Sequence, residues 1–144
     1  MKLQNTLTVM IAEFYRDFVQ ATKQELKKLG LSYGQISFLI YIGKHPGCTQ
    51  SNLTGALRID WGHSQRSIAK LVSDGFLTKA YDETVGGNCL RLTKRGEEAL
   101  EVIHSAFYDW DACMMEALSE SEQEVLFTLL GKIVRKREEE RDRT

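Results

Sequence analysis

With 144 residues, of which 42% are hydrophobic and 27% charged, the chain is long enough for one domain with a real core and too short for two comfortable ones. No apolar run approaches the roughly 18 to 20 residues that cross a membrane, and no apolar leader follows the start, so a cytoplasmic protein without a membrane partner is expected. Cys48, Cys89 and Cys113 are an odd number at no recurring spacing, which speaks against a secreted disulfide scaffold, and the net charge of −1 hides an uneven distribution: residues 44–96 carry 8 basic and 4 acidic groups, residues 97–144 carry 6 and 13.

Leu3, Leu7, Met10, Ile11, Phe14 and Phe18 recur at three- and four-residue steps, so the first segment reads as one long helix ending near Leu29, stopped by Gly30. Its apolar stripe has no neighbour close in sequence and is expected to find burial elsewhere, for example on a second subunit. Ser32 and Gln35 form a capping box that opens a second helix through Ile36, Leu39, Ile40 and Ile42 to about Lys44, after which His45, Pro46 and Gly47 break it. Thr49 caps a short helix holding Leu53, Ala56 and Leu57, followed by a tight connection at Arg58 and Ile59.

The next helix, at 60–75, is the informative one. Asp60 caps its start, and Gly75 ends it in the left-handed conformation. Trp61, Ser64, Ile68, Leu71 and Val72 step along one stripe expected to be buried, leaving Gly62, His63, Gln65, Arg66, Ala69, Lys70 and Ser73 on the other faces. Gln65 and Arg66 are the side-chain types that pair in bidentate fashion with adenine and guanine edges, and Lys70 stands one turn on, within reach of a phosphate. A short helix, a turn and a second helix with a polar outer face make a helix-turn-helix. Residues 76–81 and 89–93 then read as two strands of a wing, joined by a turn containing Gly86, Gly87 and Asn88. Thr93 caps a long helix bearing Leu100, Ile103, Phe107, Trp110 and Met114 and running to Leu118. Ser119 and Glu122 box the last helix, which is expected to fray into solvent from Arg135.

This order of elements resembles the MarR family of winged-helix transcriptional regulators over essentially the whole chain. The landmarks are the turn at residues 46–50, the helix with Arg66 on its outer face and Leu71 four before Gly75, the Leu92-Thr93 pair with Gly96, and Leu118-Ser119 followed by Glu122. The resemblance implies a mainly α fold with a small β wing. It assigns residues 1–30 to a dimerisation helix, residues 31–96 to the winged helix-turn-helix and residues 97–144 to C-terminal dimerisation helices, all in one intertwined domain. It also implies a homodimer on a palindromic double-stranded DNA site, acting as a repressor and tuned by a small molecule or by modification.

Carried over residue by residue, Gln65 and Arg66 fall where members of the family read bases or nearby phosphates. Thr49, Gln50 and Ser51 stand at a helix start where hydroxyl and backbone N–H groups hold a phosphate. Lys70, Lys79 and Arg91 are further backbone contacts, His63 is a polar residue on the recognition helix, and Gly62 lets the backbone approach the duplex. The wing departs from the family pattern. Its tip, at residues 82–88, holds two acids and no cation, so no arginine is available for the minor groove, Asn88 is left to hydrogen-bond there, and weaker DNA binding is expected.

A ligand pocket implied by the resemblance would be lined by Phe14, Phe18, Tyr33, Ser37, Tyr41 and Trp110, residues that plain core packing explains equally well. The three thiols read as buried and inert. His45 with Cys48 and His104 with Cys113 complete no metal ligand set, no cofactor is implied, and no nucleophile, base and orienting group stand at a recognisable spacing, so an enzyme is not expected. The competing class is a winged-helix protein-interaction module without specific DNA binding.

Overall fold

Helix α1 (Leu7–Leu29) begins where the Thr6 hydroxyl accepts from the Val9 N–H at 3.4 Å and ends at Gly30, whose φ of +72° is left-handed. The structure, a computed structural model, describes residues 6–143, so Leu3 lies outside it. Two compact units divide the chain, Met1–Phe107 and Tyr108–Thr144.

In the first unit, α2 (Tyr33–Lys44) is opened by Gln35, whose Oε1 accepts from the Ser32 N–H at 3.0 Å and the Ser32 hydroxyl at 3.3 Å. After the turn at Gly47 comes β1 (Cys48–Thr49), a strand not anticipated, because two residues are too few to show an alternating pattern. The Thr49 hydroxyl accepts from the Asn52 N–H at 3.1 Å, and the Asn52 side chain returns a bond to the Thr49 N–H at 3.0 Å, opening α3 (Gln50–Leu57). Arg58 then takes a left-handed φ of 55° and turns the chain into α4 (Trp61–Ser73).

The wing strands are β2 (Leu77–Asp82) and β3 (Gly87–Leu92), antiparallel from Leu77 opposite Leu92 to Asp82 opposite Gly87. β1 pairs with the other edge of β3, placing Cys48 opposite Leu90 and giving the order β1-β3-β2. Helix α5 (Lys94–Met115) crosses from the first unit to the second and stops short of Leu118. Helix α6 (Glu120–Asp142) carries the expected Ser119 and Glu122 capping box. It does not fray at Arg135, since Lys136 and Arg137 each reach Glu140 one turn on, at 3.7 and 3.3 Å, and the residues there are good helix formers.

The core of the first unit is formed by Phe38, Leu39 and Ile42 from α2, Leu53 from α3, Ile68 and Leu71 from α4, Phe76, Leu77 and Leu90 around the wing, and Ile103 from α5, all nearly or wholly inaccessible. The start of α5 is latched to the end of α4 through Thr93, whose hydroxyl donates to the Gly75 carbonyl at 2.5 Å and accepts from the Gly96 N–H at 3.1 Å. Gly96 is required here, because a Cβ would stand 2.2 Å from the Phe76 carbonyl oxygen. Gly96→Ala is therefore expected to destabilise the protein by about 1 to 3 kcal/mol in urea unfolding. Gly55→Ala, in α3 with open space around its Cβ position, is expected to stabilise it by about 0.5 to 1 kcal/mol, as helical alanine does relative to glycine.

Candidate nucleic-acid interface

The recognition element is α4, and both of its ends form as the sequence specifies. Asp60 Oδ1 accepts from the His63 N–H at 2.8 Å. That bond holds the carboxyl below its ordinary value of 3.8, against a smaller desolvation effect and helped by the charges of Arg66 and His63. At the other end Gly75, at φ +84°, donates its N–H to the Val72 carbonyl at 3.0 Å, and the Phe76 N–H reaches the Leu71 carbonyl at 2.9 Å.

Between these caps the buried stripe is narrower than its spacing suggests. Ser64, Ile68 and Leu71 are buried, but Trp61 is 52% and Val72 37% exposed. Trp61, at the first position of α4, lies beyond the core, and Val72, next to the buried Leu71, stands at the edge of the stripe. Ser64 is a polar residue at a core position, and it is satisfied there. Its hydroxyl receives the Gln50 amide at 3.0 Å, meets the Thr54 hydroxyl at 2.9 Å and donates to the Trp61 carbonyl at 2.9 Å, while Thr54 also reaches the Gln50 carbonyl at 2.6 Å. Three protons serve these four contacts, so the two hydroxyls can exchange acceptors.

Gln50 itself is buried, at 8% exposure, and its side chain joins α3 to α4, which leaves its backbone N–H at the helix start as the group expected to meet a phosphate. Burial without a partner would cost an amide several kcal/mol on the order of its desolvation, and Ser64 is the partner. Gly62 also serves inside the helix: a Cβ there would lie 3.2 Å from an Arg66 guanidinium nitrogen and 3.3 Å from Asp60 Oδ1. The missing side chain makes room for Arg66 to fold over the first turn of its own helix.

The other expected contacts fall into two groups. Thr49, Gln50, Ser51, Lys79 and Asn88 line a cleft of about 380 Å³ shared by the start of α3, Trp61 and the wing tip at Gly86 and Gly87. His63, Arg66 and Lys70 line a separate crevice of about 620 Å³, shared with Lys23 and Lys27 of α1 and with Leu26 and Leu31. Gln65 is exposed. Lys70 is held by Asp74 at 3.0 Å. Arg91 lies over the turn before β1, close enough that a Cβ on Gly47 would meet its guanidinium at 2.7 Å.

Of the aromatic residues expected in a ligand pocket, only Tyr33 borders the larger crevice. Its hydroxyl donates to the Val19 carbonyl at 2.9 Å and shares a short hydrogen bond with Thr22. Phe18 is packed edge-on against Tyr33 and Phe107, with centroids 6.0 and 5.0 Å away. Tyr41 lies against His45 at 4.5 Å, and the Ser37 hydroxyl turns back to the Gly34 carbonyl at 3.0 Å. Phe14 is exposed on α1, and Trp110 belongs to the second unit. The cationic rim of the crevice was missed because its four positive groups come from two helices about forty residues apart in sequence.

Cys48 and Cys89 are buried, as expected, and burial pushes the Cys48 thiol up from its ordinary value, which favours the inert protonated form. Cys113 is exposed, contrary to expectation, because it sits on a face of α5 in the second unit that nothing in that unit covers. Among the described residues no group of His, Cys, Asp and Glu has the make-up of a metal site, and no helix is long and apolar enough to cross a membrane.

A winged helix-turn-helix with a capped, outward-facing second helix is the architecture of a transcription regulator. The chain is 39% identical over 137 residues to the HTH-type transcriptional regulator BilQ of Clostridium symbiosum (strain WAL-14163), a match covering 94% of this chain and 95% of that protein. No family model matches the chain. Its fold superposes on a crystal structure of MarR with a TM-score of 0.86 at 22% identity, covering 100% of this chain and 99% of that one. It also superposes on a MarR family regulator from Listeria monocytogenes complexed with 26mer DNA, with a TM-score of 0.78 at 24% identity over 92% and 89% of the two chains. The protein belongs to the HTH-type transcriptional regulators, and its fold is that of the MarR-family structures.

Two expectations follow from the geometry of α4. Ser64→Ala strands the buried Gln50 amide and should cost about 1 to 3 kcal/mol in chemical unfolding. The depressed Asp60 carboxyl contributes stability that is present above its unfolded value, near 3.8, and is lost as the pH falls through the lower folded value. The gap in melting temperature between the wild type and Asp60→Asn, which caps without charge, should therefore hold steady from neutral pH down to about 5 and close in stronger acid.

Proposed function

We propose that the protein is a homodimeric, cytoplasmic repressor that reads a two-fold symmetric promoter site with Gln65 and Arg66. The observation that carries this reading is the division of α4: Ser64, Ile68 and Leu71 are locked inward, while Gln65, Arg66 and Lys70 stand exposed on a helix fixed at both ends. A side chain that is to read base edges must be exposed yet carried on a rigid element, and Gln65 and Arg66 meet both requirements.

Dimerisation is supported separately on each unit. On the first, α1 exposes Leu7, Met10, Ile11 and Phe14; on the second, α6 buries no residue and exposes Val125, Phe127, Leu129, Leu130 and Ile133. Apolar stripes of this length have to be covered for the helices to be stable, and a second copy supplies matching ones. Residues 1–30 and 97–144 would then clasp the dimer and residues 31–96 would read DNA, with half-sites about one helical turn apart.

The effector reading is attached to the crevice between α1 and α4. Lys23, Lys27, Arg66 and Lys70 surround an apolar floor of Leu26 and Leu31, which suits an apolar molecule with an acidic group. Because Arg66 and Lys70 also belong to the DNA-facing side, such an occupant and the duplex compete for the same charges, and binding one weakens the other.

Selection of bound sequences from random duplex tests the reading: a two-fold symmetric winner is expected, and an asymmetric or absent winner would refute it. Arg66→Ala should weaken binding to the selected site by about 1 to 3 kcal/mol, while Lys70→Ala should weaken all sequences alike and lower the salt slope by about one. An affinity that does not fall with salt would favour a protein partner instead.

A further inference from the structure

We propose that Trp61 is a DNA-backbone contact, and that with Lys79 and the glycine tip of the wing it forms a slot for one deoxyribose-phosphate segment of the strand bordering the major groove. The inference rests on the DNA-binding reading above and adds a residue and a surface to it.

The helical spacing of Trp61 puts it on the stripe that should be buried, yet its side chain is 52% exposed at the first position of α4. An indole has a large apolar surface to bury, and leaving half of it in water forgoes much of the stabilisation that the residue offers. Its surroundings form a built space. Trp61 lines the cleft of about 380 Å³ together with Thr49, Gln50 and Ser51 at the start of α3, Lys79 on β2, and Val85, Gly86, Gly87 and Asn88 of the wing. The contents that fit are partly apolar and partly anionic: a flat hydrophobic wall for a sugar, an ammonium and hydroxyls for a phosphate. Neither Asp82 nor Glu83 lines the cleft.

Position supplies the second argument. Trp61 and Gln65 are four residues apart on one helix and therefore share a face, and both are exposed. A strand whose bases meet Gln65 runs its backbone past the turn before it, which is the turn holding Trp61. The wing closes the other side without crowding, since nothing lies within 4 Å of where a Cβ on Gly86 or Gly87 would be. With no cation at the wing tip, this slot takes over part of the anchoring that a charged tip would supply, through apolar contact in place of charge.

The chain has two tryptophans, so Trp110→Phe leaves Trp61 as the sole indole. Acrylamide quenching of that variant is expected to fall at least about twofold when a duplex selected from random DNA is saturating, with Trp61→Phe showing no such protection. Trp61→Ala in the full chain should bind the same duplex about 5- to 20-fold more weakly, the scale of one aromatic contact to nucleic acid, with an unchanged dependence on salt. Lys79→Ala should lower the salt slope by about one. Equal quenching with and without bound DNA, an unaltered affinity of Trp61→Ala, or a Trp61→Ala loss that appears as a changed salt slope would each overturn the proposal while leaving DNA binding intact. Failure of the wild type to bind any duplex would overturn both.

Discussion

The structure depends on the small hydrogen-bonded group around Ser64. A helix-turn-helix functions only if its second helix is held at a fixed angle to the first, and in this chain that angle is set by a buried serine between Gln50 and Thr54 where an aliphatic contact would be the common solution. Apolar packing tolerates small slides at little cost, whereas hydrogen bonds in a dry interior weaken steeply with distance and angle. The group thus trades some adaptability for a fixed register, and α4 presents Gln65 and Arg66 from a definite position.

That rigidity is what gives the neighbouring crevice its leverage. Arg66 folds over Gly62 toward the Asp60 cap on one side and borders the space facing Lys23 and Lys27 on the other. A helix that could tilt freely would absorb a molecule in the crevice without consequence. A helix pinned through Ser64 is less free to do so, and an occupant of the kind proposed would act on the guanidinium itself.

Much of this architecture was legible in the sequence because it is written in local chemistry. Asp60, Gly75, Thr93 and Ser119 mark helix ends through bonds to residues three or four positions away, and those bonds form. Legibility failed wherever the deciding partner was distant. The burial of the Gln50 side chain was not legible, because its partner Ser64 stands fourteen positions on. Trp61 followed the period of a buried stripe, and only the extent of the core shows that its turn lies beyond it. The crevice unites lysines of α1 with α4, and β1 exists only because β3 offers it an edge. The charged end of α6 was misread for another reason: composition suggested disorder, while the order of those charges supports helix.

The two-residue strand β1 has an effect out of proportion to its length. A ribbon of β2 and β3 alone would present two rows of unpaired peptide groups, and such rows invite pairing with another molecule. By pairing with Cys89 and Leu90, Cys48 and Thr49 cover part of one row with an edge only two residues long, and the other row, on β2, carries Lys79 and Asp82, whose charges and hydration discourage stacking. The sheet is thereby made unattractive to its own kind.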